Sequence, residues 1–400
     1  MIARFGEFEL DQDRFELRRN GEAVLIEPQV FEVLVYLLNN RDRLVTKEEL
    51  LDEVWGTRFV TESSLTTRIK AARRAVGDDG QRQAVIRTVH GRGYRFVADV
   101  VDIDERPTGA ATSSSSIDQE QQIYFCRASD GARLAYAVHG DGPVLMKAAN
   151  WLTHLDHDWN SPVWRHWLRS LGEAHRVIRY DERGGGLSDR DTDDYSLDAW
   201  VRDLGAVADH AGLDRFPLLG ISQGAAVAIT YAVANPERVS HLVLYGSYAC
   251  GPFSDSSPER HRAQAQVMIE LARVGWGVRN PAFRQLFTSL FMPEGTPAQW
   301  AAFDELQRNS TSPANAARFL DAIFRLDVRD LAGQVTVPTI VLHCRGDRVW
   351  PFEQGRQLAA RIPNSRFVPL DSENHLLFEH EPAWARFLDE MERFLETTPA

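Results

Sequence analysis

From Ile103 to Gln122 the chain loses every hydrophobic period. The stretch holds Pro107, Gly109, the run Ser113–Ser116 and scattered charges, with no apolar residues at strand or helix spacing. Such a segment cannot bury enough apolar surface to offset the entropy of ordering its backbone, so it reads as a linker. The 400 residues must then fold around two separate cores. The expected organisation is a first domain over residues 1–101, a flexible linker over 102–121 and a second domain over 122–400.

Charge sharpens this division. Hydrophobic residues make up 44% and charged residues 26%, so both sides of the seam have ordinary globular composition. The net charge of −12 argues against nucleic-acid binding as a whole-chain property. Between Thr57 and Ala98, however, nine Lys/Arg face three acids, which makes that segment +6 and leaves −18 for the rest. A basic surface on an acidic protein attracts phosphates locally. Cys126, Cys250 and Cys344 are too few and too scattered for a disulfide framework or a zinc site. Met1–Leu10 is alternating and charged, unlike a signal peptide. No stretch reaches the roughly 18 apolar residues of a membrane span. A cytoplasmic protein with no membrane partner is expected.

The first domain opens with alternating strands over Ala3–Leu10, Arg14–Arg18 and Ala23–Ile26. Pro28 starts a helix in which Val30, Phe31, Val33, Leu34, Leu37 and Leu38 share one face. Thr46, followed by Lys47-Glu48-Glu49, is a capping-box signal for a second helix reaching about Trp55. A third helix over Glu62–Val76 stops at Gly77-Asp78-Asp79-Gly80. Strands Ala84–Val89 and Tyr94–Val101 follow, joined through His90-Gly91-Arg92-Gly93. Strands, three helices and a closing hairpin make an α+β winged helix. The segments EPQVFEVLVYLL, VTKEELLDEVW, ESSLTTRIKAARRAVGD and IRTVHGRGYRFV resemble the OmpR-type winged-helix family across residues 1–100.

That resemblance implies DNA as a partner. On the third helix Leu65, Ile69, Ala72 and Val76 form the buried stripe, and Ser64, Thr67, Arg68, Lys70 and Arg74 fall outside it. Taken alone, this is a solvated basic face; with the wing motif directly downstream, entry into the major groove is the better reading. His90 and Arg92 at the wing tip would reach the adjacent minor groove. A single winged helix makes few base contacts, so a homodimer on repeated half-sites is expected. The receiver domain that usually precedes this module is not in the sequence, so phosphorelay control is not implied.

In the second domain, strands alternate with helices, the pattern of a mostly parallel sheet. Strands are expected at Ile123–Cys126, Leu134–Val138, Val144–Ala148, Arg176–Tyr180, Phe216–Leu219, His241–Tyr245, Thr339–His343 and Arg366–Pro369. The main helices are Leu197–Ala211, Gly224–Ala234, Phe352–Ile362 and Ala383–Leu395. An insert over about 252–335 has helical periodicity and many aromatics.

Gly220-Ile221-Ser222-Gln223-Gly224 lies between the apolar strand Phe216–Leu219 and a helix of small residues. A strand that reverses into a helix this tightly leaves no room for neighbouring Cβ atoms, so glycines flank the serine. The helix N-terminus then aims amides at developing negative charge. A serine nucleophile needs a base and an orienting acid later in the chain. Asp347 follows the strand Thr339–His343 and His375 follows the next strand, so all three reach one rim of the sheet. Either residue alone reads as an ordinary loop residue; their joint placement gives Ser222 as nucleophile, Asp347 as orienter and His375 as general base.

With RYDERGGGLSD (Arg179–Asp189), these motifs resemble the α/β-hydrolase superfamily over about residues 122–398. The resemblance implies that the insert is a helical cap and that the backbone N–H of Gln223 is one oxyanion donor. The second donor comes from Ala149-Asn150-Trp151, where many relatives carry His-Gly or Pro-Gly, and Trp151 is the residue expected to supply it. His154-Leu155-Asp156-His157-Asp158 gathers metal-ligating residue types without the further ligands of a zinc site, so neither metal nor cofactor is expected. Trp276, Phe283, Phe287, Phe291, Trp300, Phe303, Phe319 and Phe324 populate the cap. Most belong to its core, and those that line a pocket call for a small-molecule ligand with apolar or aromatic parts.

The fusion reads first as a transcriptional regulator whose hydrolase domain senses, and hydrolyses slowly if at all, a small molecule. A serine esterase or lactonase with an appended DNA-binding module is the alternative. A pseudoenzyme scaffold is disfavoured because all three triad positions are filled.

Overall fold

The computed structural model describes residues 2–11, 16–20, 22–24, 26, 28–47, 49–51, 62–89, 91–98, 100–103, 121–254, 257–276, 278 and 282–396. The chain divides into two compact units, Met1–Ser116 and Ile117–Ala400.

In the first unit, β1 (Ile2–Phe5), β2 (Phe8–Asp11), β3 (Glu16–Arg19) and β4 (Glu22–Val24) form an antiparallel meander. The single strand expected over Ala3–Leu10 is broken by a turn at Gly6-Glu7, which pairs Phe5 with Phe8. The alternation breaks at this reversal, since Ala3 and Phe5 fall on odd positions and Phe8 and Leu10 on even ones, and Gly6 takes a positive φ of +57° there. The helix Pro28–Asn39 buries Val30, Phe31, Val33, Leu34, Leu37 and Leu38 against the unit's core. At the next helix start the Glu49 amide donates to Thr46 Oγ1 (3.1 Å) and the Thr46 amide to Glu49 Oε2 (3.4 Å), the reciprocal capping box. Trp55, where that helix was expected to end, lies outside the described residues.

The helix Glu62–Ala75 buries Leu65, Ile69 and Ala72, and Val76 continues the stripe. The hairpin of β6 (Ile86–Val89) and β7 (Gly93–Phe96) follows, with β5 (Val45–Thr46) on its outer side. Two buried side chains fix helix to hairpin. Arg73 turns inward, its Nη2 donating to Ile86 O and Thr88 Oγ1, both at 2.8 Å. The Asp78 carboxylate accepts from the amides of Asp79, Ala84, Val85 and Ile86. The strand expected over Tyr94–Val101 ends at Phe96; Val101–Ile103 forms β8, which pairs with β1 in the other sheet.

The second unit is built on an eight-stranded sheet: β9 (Gln122–Arg127), β10 (Arg133–His139), β11 (Val144–Lys147), β12 (Arg176–Tyr180), β13 (Phe216–Ile221), β14 (Val239–Tyr245), β15 (Thr339–Cys344) and β16 (Arg366–Leu370). The spatial order is β16-β15-β14-β13-β11-β12-β10-β9. From β12 through β16 every pairing is parallel, and β10 runs against both its neighbours. The central strands are buried at nearly every position, as parallel sheets covered on both faces require. Between β14 and β15 the described residues form five helices: Glu259–Gly275, Ala282–Phe291, Pro297–Ser310, Pro313–Arg325 and Arg329–Ala332. The loops after β11, β13, β15 and β16 all leave from the carboxyl edge of the parallel strands, where open α/β sheets carry their sites. Among the described residues no helix is long and apolar enough to cross a membrane.

Candidate functional sites

Ser222 sits between β13 and the helix Gly224–Ala234 with φ at +54°, in the left-handed region that a serine rarely occupies. The turn is closed from both sides. A Cβ on Gly220 would stand 2.7 Å from Ala225 Cα, and one on Gly224 would stand 2.5 Å from the Ala149 carbonyl oxygen. Glycine at both positions lets strand, helix and the loop after β11 meet around one hydroxyl.

Asp347 and His375 meet directly. His375 Nδ1 lies 2.6 Å from Asp347 Oδ2, and each side chain is 1% exposed. A carboxylate can only accept, so Nδ1 carries the proton and Nε2 is left with its lone pair. Asp347 Oδ1 accepts from the amides of Val349 (2.8 Å) and Trp350 (3.0 Å), folding the loop back on itself. His375 is held in turn by its amide on Phe291 O (2.9 Å), by Tyr245 Oη on its own carbonyl (2.8 Å), and by the Phe291 ring packed edge-on at 5.2 Å. His343 donates from Nε2 to Trp350 O (2.8 Å), and burial keeps its pKa below the ordinary imidazole value.

The partner recorded at Ser222 Oγ is the Trp350 indole, whose Nε1 donates at 3.3 Å. Among the described residues no hydrogen bond joins Ser222 to His375. Catalytic hydrogen bonds in ligand-free sites are often long and tighten on binding. Trp350 stacks face to face on Tyr248 with centroids 3.5 Å apart. Its approach to the serine was not anticipated from the sequence. The only signal is spacing, since Trp350 follows Asp347 by three residues in a loop that the Asp347 carboxylate folds.

The loop Ala149-Asn150-Trp151 rests on a buried polar network. Lys147 Nζ donates to Asn150 Oδ1, and the Trp151 amide donates to Gln223 Oε1 at 2.9 Å. Gln223 Nε2 donates to Glu182 Oε1. Within RYDERGGGLSD, Arg183 clamps Asp203 through Nε (2.8 Å) and Nη2 (2.5 Å), while Asp181 Oδ2 accepts from the amides of Leu155 (3.1 Å) and Leu187 (2.8 Å). That motif is thus the scaffold on which the loops around the serine rest. The His154–Asp158 cluster forms a helix start: His154 Nδ1 accepts from the His157 amide (3.3 Å), and buried Asp158 faces Arg179 at 3.7 Å.

A cavity of about 710 Å³ opens on Ser222, Gln223, Trp151 and Trp350, and the cap closes it with Phe287, Phe291 and Phe324. Trp276 and Phe303 are buried in the cap core, Phe319 packs on Tyr195 and Trp200, and Trp300 is partly exposed. On the first unit, Thr67, Lys70 and Arg74 are exposed and Arg68 is half-buried on the helix Glu62–Ala75; Arg92 is exposed in the hairpin turn. The Ser64 side chain and His90 lie outside the described residues.

The description "alpha/beta hydrolase fold" matches residues 152–382, and "Transcriptional regulatory protein, C terminal" matches residues 21–96. The chain belongs to the α/β hydrolase fold family and carries a winged-helix DNA-binding domain ahead of the hydrolase domain. It is 28% identical over 251 residues to the 2-hydroxy-6-oxo-2,4-heptadienoate hydrolase of Pseudomonas putida, covering 57% of this chain and 77% of that one. It is also 28% identical over 308 residues to the 2-hydroxy-6-oxononadienedioate/2-hydroxy-6-oxononatrienedioate hydrolase of Cupriavidus pinatubonensis, covering 73% and 97%. Among solved structures, an esterase from Exiguobacterium antarcticum superposes with a TM-score of 0.59 at 22% identity, over 68% of this chain and 99% of that one, a likeness of fold.

The buried network makes stability depend on pH. Burial pushes the Glu182 carboxyl up to about 8 from an ordinary 4.5, and that of Asp158 up to about 7 from 3.8. The folded protein therefore keeps protons that the unfolded chain has released, and stability falls as pH rises through this window. Lys147, lowered by burial to about 8, acts in the opposite sense only above that pH. The melting temperature should decline from about pH 5 to about pH 8. Glu182→Gln should flatten the decline, a change on the order of a few kcal/mol at most. An unaltered slope in Glu182→Gln would contradict this account.

Proposed function

We propose that this protein is a ligand-responsive transcriptional regulator whose hydrolase domain takes a small carbonyl compound with a large apolar or aromatic part. One observation carries the reading: a mostly apolar cavity opens on Ser222 in the same chain as a DNA-binding domain. In this reading Ser222 is the nucleophile, His375 Nε2 takes its proton, and Asp347 holds the imidazole in the required tautomer and supports its positive charge. The backbone amides of Gln223 and Trp151 receive the developing oxyanion. The helix face of Ser64, Thr67, Arg68, Lys70 and Arg74 reads the major groove, with His90 and Arg92 on the wing. The working form is a cytoplasmic homodimer on paired half-sites.

The nucleophile assignment is tested with an alkyl fluorophosphonate. Ser222 Oγ attacks phosphorus, fluoride leaves, and the hydroxyl proton passes to His375. Wild type should label, Ser222→Ala should not, and His375→Ala should fall by roughly 10²-fold or more. Asp347→Ala should lose less, because Asp347 orients the base and does not receive the proton. Folded wild type that resists labelling would leave a binding scaffold in place of a hydrolase.

The DNA assignment is tested by titrating residues 1–101 with DNA from the gene's own upstream region and with random DNA. Binding should weaken with salt, and Arg68→Ala, Lys70→Ala and Arg92→Ala should each reduce affinity. A phosphate contact should lower the salt slope by about one when removed, and a base contact should relax sequence preference. Equal affinity for both DNAs at moderate salt would defeat the assignment.

A further inference from the structure

Resting on the reading of Trp151 as an oxyanion donor, the geometry points to a further role for Gln223: its side chain occupies the carbonyl-oxygen site from within and must leave before a ligand's carbonyl can bind there. The Trp151 amide already has an acceptor, Gln223 Oε1 at 2.9 Å. That carboxamide is itself anchored, because Nε2 donates to Glu182 Oε1. Gln223 is 1% exposed and Glu182 5%, so the carboxamide and its anchor are held inside the protein and not in bulk water. One residue thus plays two opposed parts: its backbone N–H belongs to the oxyanion site, while its side chain fills the other half of that site.

The arrangement selects for chemistry. A purely apolar guest can fill the cavity and leave the Trp151 amide on Gln223. An ester, lactone or amide brings an oxygen that can replace Oε1, after which the carboxamide and the loop Ala149-Asn150-Trp151 are no longer tied together. Carbonyl recognition is thereby linked to release of a loop that Gln223 and Lys147 otherwise hold. It also slows attack, since a carbonyl bound beside an occupied donor is activated by one amide only. Removing a single oxyanion donor costs roughly 10²- to 10³-fold in rate in a well-formed site. An internal occupant withholds a share of that from every turnover.

Glu182 is the positioning residue in this scheme. Burial holds its carboxyl predominantly neutral at pH 7, where its carbonyl oxygen still accepts from Gln223 Nε2.

The test compares the second-order rate of Ser222 labelling by an alkyl fluorophosphonate with Nile red binding in the cavity. Labelling places a phosphoryl oxygen in the oxyanion site; dye binding needs no carbonyl site. Gln223→Met keeps the length and removes the acceptor, so labelling should rise about tenfold or more, with retained dye binding showing that the cavity is intact. Glu182→Met frees the carboxamide without touching Gln223 and should raise labelling in the same direction; it also serves if Gln223→Met does not fold. If wild type labels and both folded variants label no faster while still binding dye, the occupant role is overturned and the serine assignment stands. If neither wild type nor variants label while all bind dye, the serine assignment fails and this inference fails with it. Labelling that emerges only in the variants supports both.

Discussion

A single buried carboxylate divides its two oxygens between the two halves of the site. Asp347 Oδ2 holds the His375 imidazole at 2.6 Å, and Oδ1 holds the amides of Val349 and Trp350. The first contact fixes which ring nitrogen carries the proton. The second folds the loop that carries Trp350 over the serine, where its indole reaches Ser222 Oγ. Taking such a carboxylate out of water is costly unless its lone pairs are satisfied, and here both oxygens are engaged. Loss of Asp347 would therefore disturb the His375 imidazole, the indole and the cavity wall together.

Much of this was legible in the sequence, because long periodic segments bounded by turn residues leave few choices. All eight strands of the second domain and the strand-to-helix turn at Ser222 follow from alternation, apolar runs and flanking glycines. The buried stripe Leu65, Ile69, Ala72 and Val76 follows from helical spacing in the same way. Two expected strands are too long. In each, a run of strand-forming residues reads as one strand: in Ala3–Leu10 the turn is marked only by Gly6-Glu7 and a one-step shift in the alternation, and in Tyr94–Val101 the chain changes sheet, which composition does not record.

The site was legible in residues and only partly in contacts. The structure brings Asp347 and His375 into contact and sets Ser222 on the same sheet edge, because each follows a strand there. That Gln223 would turn its carboxamide onto the Trp151 amide, or that Trp350 would reach the serine, depends on side-chain directions that spacing does not encode. Glu182 stood in view inside RYDERGGGLSD, yet only burial beside Gln223 gives it a role. Of the cap aromatics, Phe287, Phe291 and Phe324 reach the cavity while Trp276 and Phe303 stay in the cap core, a choice made by the packing of five short helices.

A DNA-binding domain and a hydrolase domain in one chain become a sensor only if occupancy of the cavity alters affinity for DNA, and linkage requires the converse as well. The direct measurement is the affinity of the full chain for DNA from its own upstream region, with and without an ester, lactone or amide that raises its melting temperature. It is made in wild type and in Ser222→Ala. The account predicts a change of roughly 5- to 150-fold in both proteins, with DNA shifting ligand affinity by the same factor. A response lost in Ser222→Ala while the ligand still binds would make cleavage the signal. Identical DNA affinity at a saturating ligand concentration in wild type would contradict the account.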